Sequence, residues 1–189
     1  MEIKSAVFVK GSVSAEDVFA DDLPHVAFIG RSNVGKSSTI NAITKTKGLA
    51  KTSALPGRTR EINLFLVNNK WYIVDLPGYG FAKGSVGKRD ELHALIEKYL
   101  FASPHTQKKV VLIIDGKVGP TRDDLDILDT LEQHGKTIIV AVNKIDRLKN
   151  SELRVQLASI QKQIGAHVIV PYSAEKKTGI GALLAEILK

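Results

Sequence analysis

Residues 30–37 read G-R-S-N-V-G-K-S, which fits the pattern G-x-x-x-x-G-K-[ST] of a phosphate-binding loop. The apolar run at 26–29 predicts a buried strand before this loop, and residues 38–43 predict the first turns of a helix after it. Gly30 and Gly35 let the backbone wrap tightly, so that successive N–H groups point into one concavity. The stretch therefore predicts a strand–loop–helix unit that binds nucleotide phosphates.

The side chains of this loop have separate predicted roles. We expect Lys36 to reach the β- and γ-phosphates and to be catalytic, and the Ser37 hydroxyl to ligate Mg²⁺. The positive end of the following helix adds attraction for anions. A chance glycine-rich turn is the alternative, but the flanking strand and helix patterns argue against it. The predicted nucleotide contacts here are Gly30, Arg31, Ser32, Asn33, Val34, Gly35, Lys36, Ser37 and Ser38.

The rest of the chain alternates strand-like with helix-like runs. The strand-like runs lie at 3–9, 61–67, 70–75, 110–115, 137–142 and 167–171. The helix-like runs lie at 90–101, 121–134, 151–164 and 180–188. This alternation predicts an α/β fold with a three-layer, doubly wound, mostly parallel sheet. Asn68 and Asn69 predict one antiparallel edge hairpin, since Asn tolerates φ > 0. We expect a single domain over 1–189, with a short N-terminal extension over about 1–22.

Residues 75–78 read D-L-P-G and fit D-x-x-G at the end of a predicted strand. The carboxylate of Asp75 at this strand end can hold Mg²⁺ through water, and the N–H of Gly78 can contact a γ-phosphate oxygen. The pattern is weak alone, but its position about forty residues after the phosphate loop strengthens it. We include Leu76 and Pro77 in the predicted nucleotide-binding set.

Residues 143–146 read N-K-I-D and fit N-K-x-D, which selects the base. The Asp146 carboxylate can accept from guanine N1–H and from the 2-amino group, whereas adenine offers neither donor. Adenine would leave a desolvated carboxylate unpaired, at a cost of a few kcal/mol. Asn143 can tie the motif either to the phosphate loop or to the base. The aliphatic part of the Lys144 side chain can cover the face of the base. Ile145, between Lys144 and Asp146, completes the predicted set in this motif. The alternative is that Asp146 merely caps a helix.

Two further segments give weaker signals. Ser173 and Ala174 are typical of a segment whose backbone N–H meets guanine O6, and we include Glu175 beside them. Thr59 is the best candidate to complete the Mg²⁺ shell and to act in catalysis. Its competitors are Thr46, Thr52 and Ser53. The predicted nucleotide contacts in this segment are Gly57, Arg58, Thr59, Arg60 and Glu61.

The composition predicts a polyanionic partner and excludes several classes of site. The net charge is +7, and the basic excess lies at 45–60 and 79–89, which contain no acid. A solvated surface with spare lysines is the alternative. Because the chain has no cysteine, disulfides, thiolate metal sites and cysteine nucleophiles are excluded. No apolar run approaches the roughly 18 residues of a membrane span, so we expect no membrane contact. The N-terminus lacks a secretory pattern, and we expect a cytoplasmic protein.

Four stretches together resemble the EngB (YihA/YsxC) family, within the Era/TrmE-like class of P-loop GTPases. They are G-R-S-N-V-G-K-S-S at 30–38, P-G-R-T at 56–59, D-L-P-G-Y-G at 75–80 and N-K-I-D at 143–146. The resemblance covers nearly the whole chain. It implies a GTPase that binds GTP and GDP and assists assembly of the large ribosomal subunit or its precursor, with a link to cell division and septation. We expect a monomer.

The resemblance also bears on the mechanism. Ras-like enzymes have a water-positioning Gln directly after D-x-x-G, but Tyr79 stands there, so we expect slow intrinsic hydrolysis. In related GTPases an Asn at the position of Asn33 helps to hold K⁺ beside the phosphates; alternatively, Asn33 only shapes the loop. We expect hydrolysis to release two switch loops, at about 46–60 and 77–90. Rival functions are a GTP-dependent scaffold for septation proteins and a P-loop kinase for a small metabolite.

Overall fold

The computed structural model describes residues 2–15, 21–51, 61–80, 86–105 and 107–189. The strands are β1 (Ala6–Ser12), β2 (His25–Gly30), β3 (Ile62–Val67), β4 (Trp71–Asp75), β5 (Gln107–Asp115), β6 (Ile138–Asn143) and β7 (Val168–Pro171). The helices are α1 (Lys36–Thr44), α2 (Val86–Glu97), α3 (Arg122–Gln133), α4 (Asn150–Ile164) and α5 (Ile180–Leu188). A π-helical turn, Lys98–Ala102, extends α2, and a 3₁₀ turn, Ile145–Arg147, follows β6.

The described strands form one sheet in the order β1-β3-β4-β2-β5-β6-β7. Strand β2 pairs in parallel with β4 and β5, and β5, β6 and β7 continue the parallel arrangement. Strand β3 runs antiparallel to both β4 and β1. The predicted mostly parallel sheet with an antiparallel edge is therefore confirmed. Asn68 and Asn69 join β3 to β4 with φ of 51° and 53°, the left-handed conformation that their side chains tolerate.

The core lies on both faces of this sheet. Strand β5 shows why, because Val110, Leu112 and Ile114 pack into one cluster while Val111 and Ile113 pack into the other. The first cluster includes buried residues of α2, α3 and α4, and the second includes those of α1 and α5. A continuous apolar strand is what a parallel sheet covered on both faces requires. The three predicted layers are thus present.

Strand β1 begins three residues later than the predicted run at 3–9. The amides of Lys4 and Ser5 donate to the Asn68 side chain, and the Ser5 carbonyl accepts from the Asn68 amide. These residues therefore hold the β3–β4 hairpin before β1 begins to pair with β3. Among the described helices, none is both long and apolar enough to cross a bilayer.

Candidate nucleotide-binding site

The predicted motifs meet at one edge of the sheet, where the parallel strands β2, β4, β5 and β6 end. Phe28 on β2 pairs with Asp75 on β4, and Asp115 on β5 pairs with Asn143 on β6. The phosphate loop leaves β2 at the same edge and leads into α1. Ligands of doubly wound sheets bind outside the carboxyl ends of the strands, so this edge is the candidate site.

The phosphate loop is wrapped by two residues with positive φ, Asn33 at 63° and Gly35 at 105°. A Cβ on Gly35 would lie 2.3 Å from the Asn143 side-chain nitrogen. Glycine is therefore required at this position for its backbone conformation and for the close approach of β6. Helix α1 begins directly afterwards, and its first amides are available to an anion.

Lys36 at the start of α1 and Asp75 at the end of β4 are both buried and interact electrostatically. The Lys36 ammonium donates to the Gly30 carbonyl at 3.2 Å. Burial lowers the pKa of Lys36, and Asp75 opposes that shift. Burial raises the pKa of Asp75 to about 6, and Lys36 and the Ser37 hydroxyl oppose that shift. The ammonium of Lys36 and the carboxylate of Asp75 are therefore both shielded from water at the same site.

The oxygens around Asp75 fit a magnesium ion. The Ser37 hydroxyl donates to one Asp75 oxygen at 3.2 Å, while the other, Oδ1, is buried without a hydrogen-bond partner among the described residues. A hydroxyl and a carboxylate are the hard oxygen ligands that Mg²⁺ prefers, usually together with waters. An unpartnered buried carboxylate oxygen is costly, and a cation would satisfy it. No group of three or more His, Cys, Asp or Glu side chains that could hold a metal ion occurs in the described parts of the chain.

The D-x-x-G segment packs tightly against the phosphate loop. A Cβ on Gly78 would lie 3.0 Å from the Lys36 ammonium and 3.0 Å from the Ser32 backbone nitrogen. The Ser32 amide donates to the Tyr79 carbonyl at 3.0 Å, and the Ser32 hydroxyl approaches the Gly78 carbonyl at 3.4 Å. Leu76 and Pro77, between Asp75 and Gly78, are both buried. Absence of a side chain at Gly78 is what permits this approach.

The side chain of Tyr79 is directed at α3. Its ring is buried in the core, and its hydroxyl donates to Asp124 on α3 at 2.6 Å. Burial raises the pKa of Tyr79 well above its ordinary value, and Asp124 adds to the shift. The residue that occupies the position of the Ras-like glutamine is therefore held protonated against α3.

Asn143 ties the base-selecting motif to the phosphate loop. Its side-chain amide donates to the Val34 carbonyl at 2.9 Å, and its oxygen accepts from the amides of Lys144 and Ala174. The sequence left two roles open for Asn143, a tie to the phosphate loop or a contact with the base, and the structure shows the tie to the phosphate loop. The Lys144 ammonium donates to the Asn33 carbonyl at 2.8 Å.

Asp146 lies exposed in the turn after β6 and lines a cleft. It does not cap a helix, because α4 begins at Asn150 and Lys149 holds the capping position. The cleft has a volume of about 760 Å³. Its lining includes Asn33, Gly35, Ser38, Asn143, Lys144, Asp146, Ala174 and Glu175. Ser173 is buried behind it and accepts the Lys176 amide. This cleft brings the base-selecting residues beside the phosphate loop.

Some predicted residues lie outside the described part of the chain. These are Gly57, Arg58, Thr59 and Arg60, with the competitors Thr52 and Ser53. Thr46 is described, and its hydroxyl donates to the Thr44 carbonyl at the end of α1. Glu61 is exposed just before β3. The assignment of Thr59 to the Mg²⁺ shell stays a prediction.

Sequence reasoning missed two residues that brace the site. Tyr172, before the Ser173 segment, is fully buried and its hydroxyl bonds to the Thr39 hydroxyl on α1 at 2.7 Å. Asp115 ends β5 and contacts Lys144. The signal for Asp115 was available, since an acid directly after an apolar strand is also what marked Asp75.

Comparison with known proteins agrees with this geometry. Residues 25–144 match the family described as "50S ribosome-binding GTPase", and residues 103–189 match "Elongation factor Tu GTP binding domain". A probable GTP-binding protein EngB of Clostridium perfringens strain 13 is 41% identical over 182 residues, covering 95% of this chain and 92% of the relative. The chain belongs to the EngB family of GTP-binding proteins.

Solved structures support the EngB assignment. A crystal structure of a probable GTP-binding protein engB is 27% identical, with a TM-score of 0.73, and covers 87% of this chain and 96% of that chain. Era of Aquifex aeolicus, bound to GDP·AlF₄⁻, is 27% identical, with a TM-score of 0.72, covering 87% of this chain and 55% of Era. The EngB resemblance within the Era-like class and the P-loop GTPase fold are both confirmed.

Proposed function

We propose that this EngB-family protein hydrolyses GTP slowly and acts in the cytoplasm as a nucleotide-dependent switch in assembly of the large ribosomal subunit. The GTP site is supported by the hydrogen bond from the Asn143 side chain to the Val34 carbonyl, and by the cleft that both Asn33 and Asp146 line. The ribosomal role is supported by the family described as "50S ribosome-binding GTPase" and by the net charge of +7. A basic protein suits a partner rich in phosphate.

The predicted residues then have the following roles. Lys36 and the loop amides neutralise charge on the β- and γ-phosphates. Ser37 and Asp75, the latter through water, hold Mg²⁺, and Thr59 completes its shell. Mg²⁺ supplies charge stabilisation at the phosphates when it is bound. Asp146 accepts the two guanine donors, and a backbone N–H of the segment at Ser173 and Ala174 meets O6.

Slow hydrolysis follows from the orientation of Tyr79. Its hydroxyl is engaged by Asp124, so no side chain at this position orients the attacking water. We propose that Asn33 compensates by holding K⁺ beside the phosphates. The Asn33 backbone is fixed by Lys144, while its side chain is exposed and bonds to no described residue. Because the Asn33 backbone is fixed and its carboxamide has no other described partner, the carboxamide oxygen is suited to ligate a weakly bound cation.

The segments at about 46–60 and 77–90 are proposed to be the switch loops of a single G domain. Their basic residues would form an RNA-binding face in the GTP state. Co-sedimentation with ribosomal subunits under GTP, GDP and no nucleotide tests this role. Binding to the large-subunit precursor only with GTP supports it. Exclusive binding to septation proteins would instead favour the scaffold function, and the base-selecting motif and the family assignment disfavour the metabolite kinase.

A further inference from the structure

Asp115 is a buried carboxylate that lies outside the predicted nucleotide motifs. It ends β5 beside Asn143 and has only 9% of its surface exposed. One of its oxygens accepts the amides of Lys117 at 3.0 Å and Val118 at 3.4 Å. The other oxygen accepts the Lys144 ammonium at 2.7 Å. The two oxygens therefore have different partners, a turn on one side and the base-selecting motif on the other.

Lys144 stands between Asp115 and the phosphate loop. Its ammonium also donates to the Asn33 carbonyl at 2.8 Å, and its own φ is 63°. The side chains of Lys144 and Asp115 are 20% and 10% exposed, so their contact is shielded from solvent. Charge-assisted hydrogen bonds of this kind are short and about twice as strong as neutral ones. The ion pair can thus fix the direction of the Lys144 side chain.

Electrostatics keep Asp115 ionised for this contact. Burial alone would raise the pKa of Asp115. The hydrogen bond and charge of Lys144, with the amides of Lys117 and Val118, outweigh burial and lower the pKa below its ordinary value.

We propose that Asp115 is a positioning residue for nucleotide binding, which holds Lys144 across the phosphate loop and thereby slows release of guanine nucleotide. Without the carboxylate, Lys144 loses the anchor that keeps its stem beside the cleft and its ammonium on Asn33. The proposal deepens the GTP-binding role of the family and is independent of the ribosomal role.

The competing explanation is that Asp115 only shapes the turn after β5. Its carbonyl accepts the Gly119 amide at 2.8 Å, and its Oδ1 holds the next amides. Asp115→Asn separates the two explanations, because an Asn oxygen can still accept those amides while its NH₂ group cannot accept from Lys144. Asp129→Asn makes the same chemical change on the exposed face of α3 and serves as the control.

The test is the dissociation rate of a fluorescent GDP analogue from the full chain, without ribosomes. Asp115→Asn should speed release about tenfold, as expected for loss of a hydrogen bond to a charged group. Lys144→Met should do the same, and adding Asp115→Asn to Lys144→Met should change the rate less than about twofold. A full additional effect in that background, or unchanged release from Asp115→Asn alone, would overturn the proposal.

A second variant covers the case in which Asp115→Asn does not fold. Asp115→Glu keeps a carboxylate and should release GDP more slowly than Lys144→Met; equal release would overturn the proposal. Failure of the wild-type chain to bind the GDP analogue would contradict the GTP-binding function itself. The two failures are therefore distinguishable.

Discussion

The hydroxyl of Tyr79 donates a hydrogen bond of 2.6 Å to the buried carboxylate of Asp124. The second oxygen of Asp124 accepts both the amide and the hydroxyl of Thr121, at the start of α3. The backbone carbonyl of Tyr79 meanwhile accepts the Ser32 amide in the phosphate loop. Tyr79 thus joins the D-x-x-G segment, the phosphate loop and α3. Its side chain stabilises the fold and does not orient the attacking water.

Tyr79→Phe should therefore reduce stability more than catalysis. The change leaves a buried Asp124 oxygen without its donor, which costs about 1–3 kcal/mol in the free energy of unfolding. Turnover at saturating GTP should change less than about twofold, because the Tyr79 hydroxyl does not take part in lowering the activation free energy of hydrolysis. Urea denaturation and single-turnover hydrolysis measure the two quantities. Tyr72→Phe, which removes a hydroxyl bonded to Asp21 far from the site, is the control. A large loss of turnover with unchanged stability would show that the hydroxyl takes part in the reaction.

Mg²⁺-dependent nucleotide binding should weaken as the pH falls through about 6. Mg²⁺ requires the ionised carboxylate, and burial raises the pKa of Asp75 to about 6. The Mg²⁺ concentration for half-maximal binding of a GTP analogue, measured between pH 5 and 8, should rise at the acidic end. Asp75→Asn should reduce that pH dependence to the part that comes from the phosphates of the analogue, whose last pKa is also about 6. A dependence that stays centred near pH 4 would contradict the raised pKa.

Asp75 should also affect the stability of the nucleotide-free protein. Because its folded pKa is raised above the unfolded value, its neutral form favours folding at low pH. That contribution is lost as the pH rises through about 6. The free energy of unfolding of Asp75→Asn should consequently exceed that of the wild type at pH 7, and the difference should shrink as the pH falls to about 4.

His25 should have the opposite pH dependence. It is fully buried at the start of β2, its Nδ1 bonds to the Tyr99 hydroxyl at 2.9 Å, and its ring stacks on His105. Burial lowers the pKa of His25 to about 4, with His105 adding to the shift and Asp21 opposing it. Its contribution to stability is present above about pH 6.5 and is lost as the pH falls toward 4.

The variant His25→Phe tests this assignment. The wild type should lose about 1 kcal/mol from this group between pH 7 and 5.5, and His25→Phe should not. His93→Gln, on α2, is the control. Equal pH dependence of urea midpoints in the wild type and His25→Phe would rule out the assignment.

Potassium should accelerate hydrolysis if Asn33 holds the ion. We expect turnover in KCl to exceed that in NaCl at equal ionic strength by roughly tenfold, a barrier difference of about 1.4 kcal/mol. Asn33→Gly is the appropriate variant, because glycine tolerates the φ of 63° while removing the carboxamide. It should abolish the difference between the two salts. Equal rates in both salts for the wild type, with and without ribosomal particles, would refute the role of Asn33.

The local motifs could be predicted because each is determined by neighbouring residues. Residues 30–37 and the Asn68–Asn69 turn require particular backbone conformations, and those conformations select glycine and asparagine. The structure places both as expected. The direction of Tyr79 was not predictable, because it depends on Asp124, which lies 45 residues away in the chain.

Contacts between residues far apart in the chain explain the other features that the sequence did not predict. The role of Asn143 stayed open in the sequence because Val34 is 109 residues away. Asp115 was missed because its partner, Lys144, comes 29 residues later and only the pairing of β5 with β6 brings them together. The start of β1 depends on Asn68, which holds residues 4 and 5 out of the sheet pairing.

The most direct test of the central claim uses the base selectivity of Asp146 together with ribosome binding. Asn at this position offers an NH₂ donor to the 2-oxo group of xanthine, so Asp146→Asn should bind xanthosine rather than guanosine nucleotides. The wild type should co-sediment with the large-subunit precursor in a non-hydrolysable GTP analogue but not in GDP. Asp146→Asn should do so only in the xanthosine analogue. If either the wild type or Asp146→Asn bound the large-subunit precursor equally well with every nucleotide, that result would contradict the proposed switch.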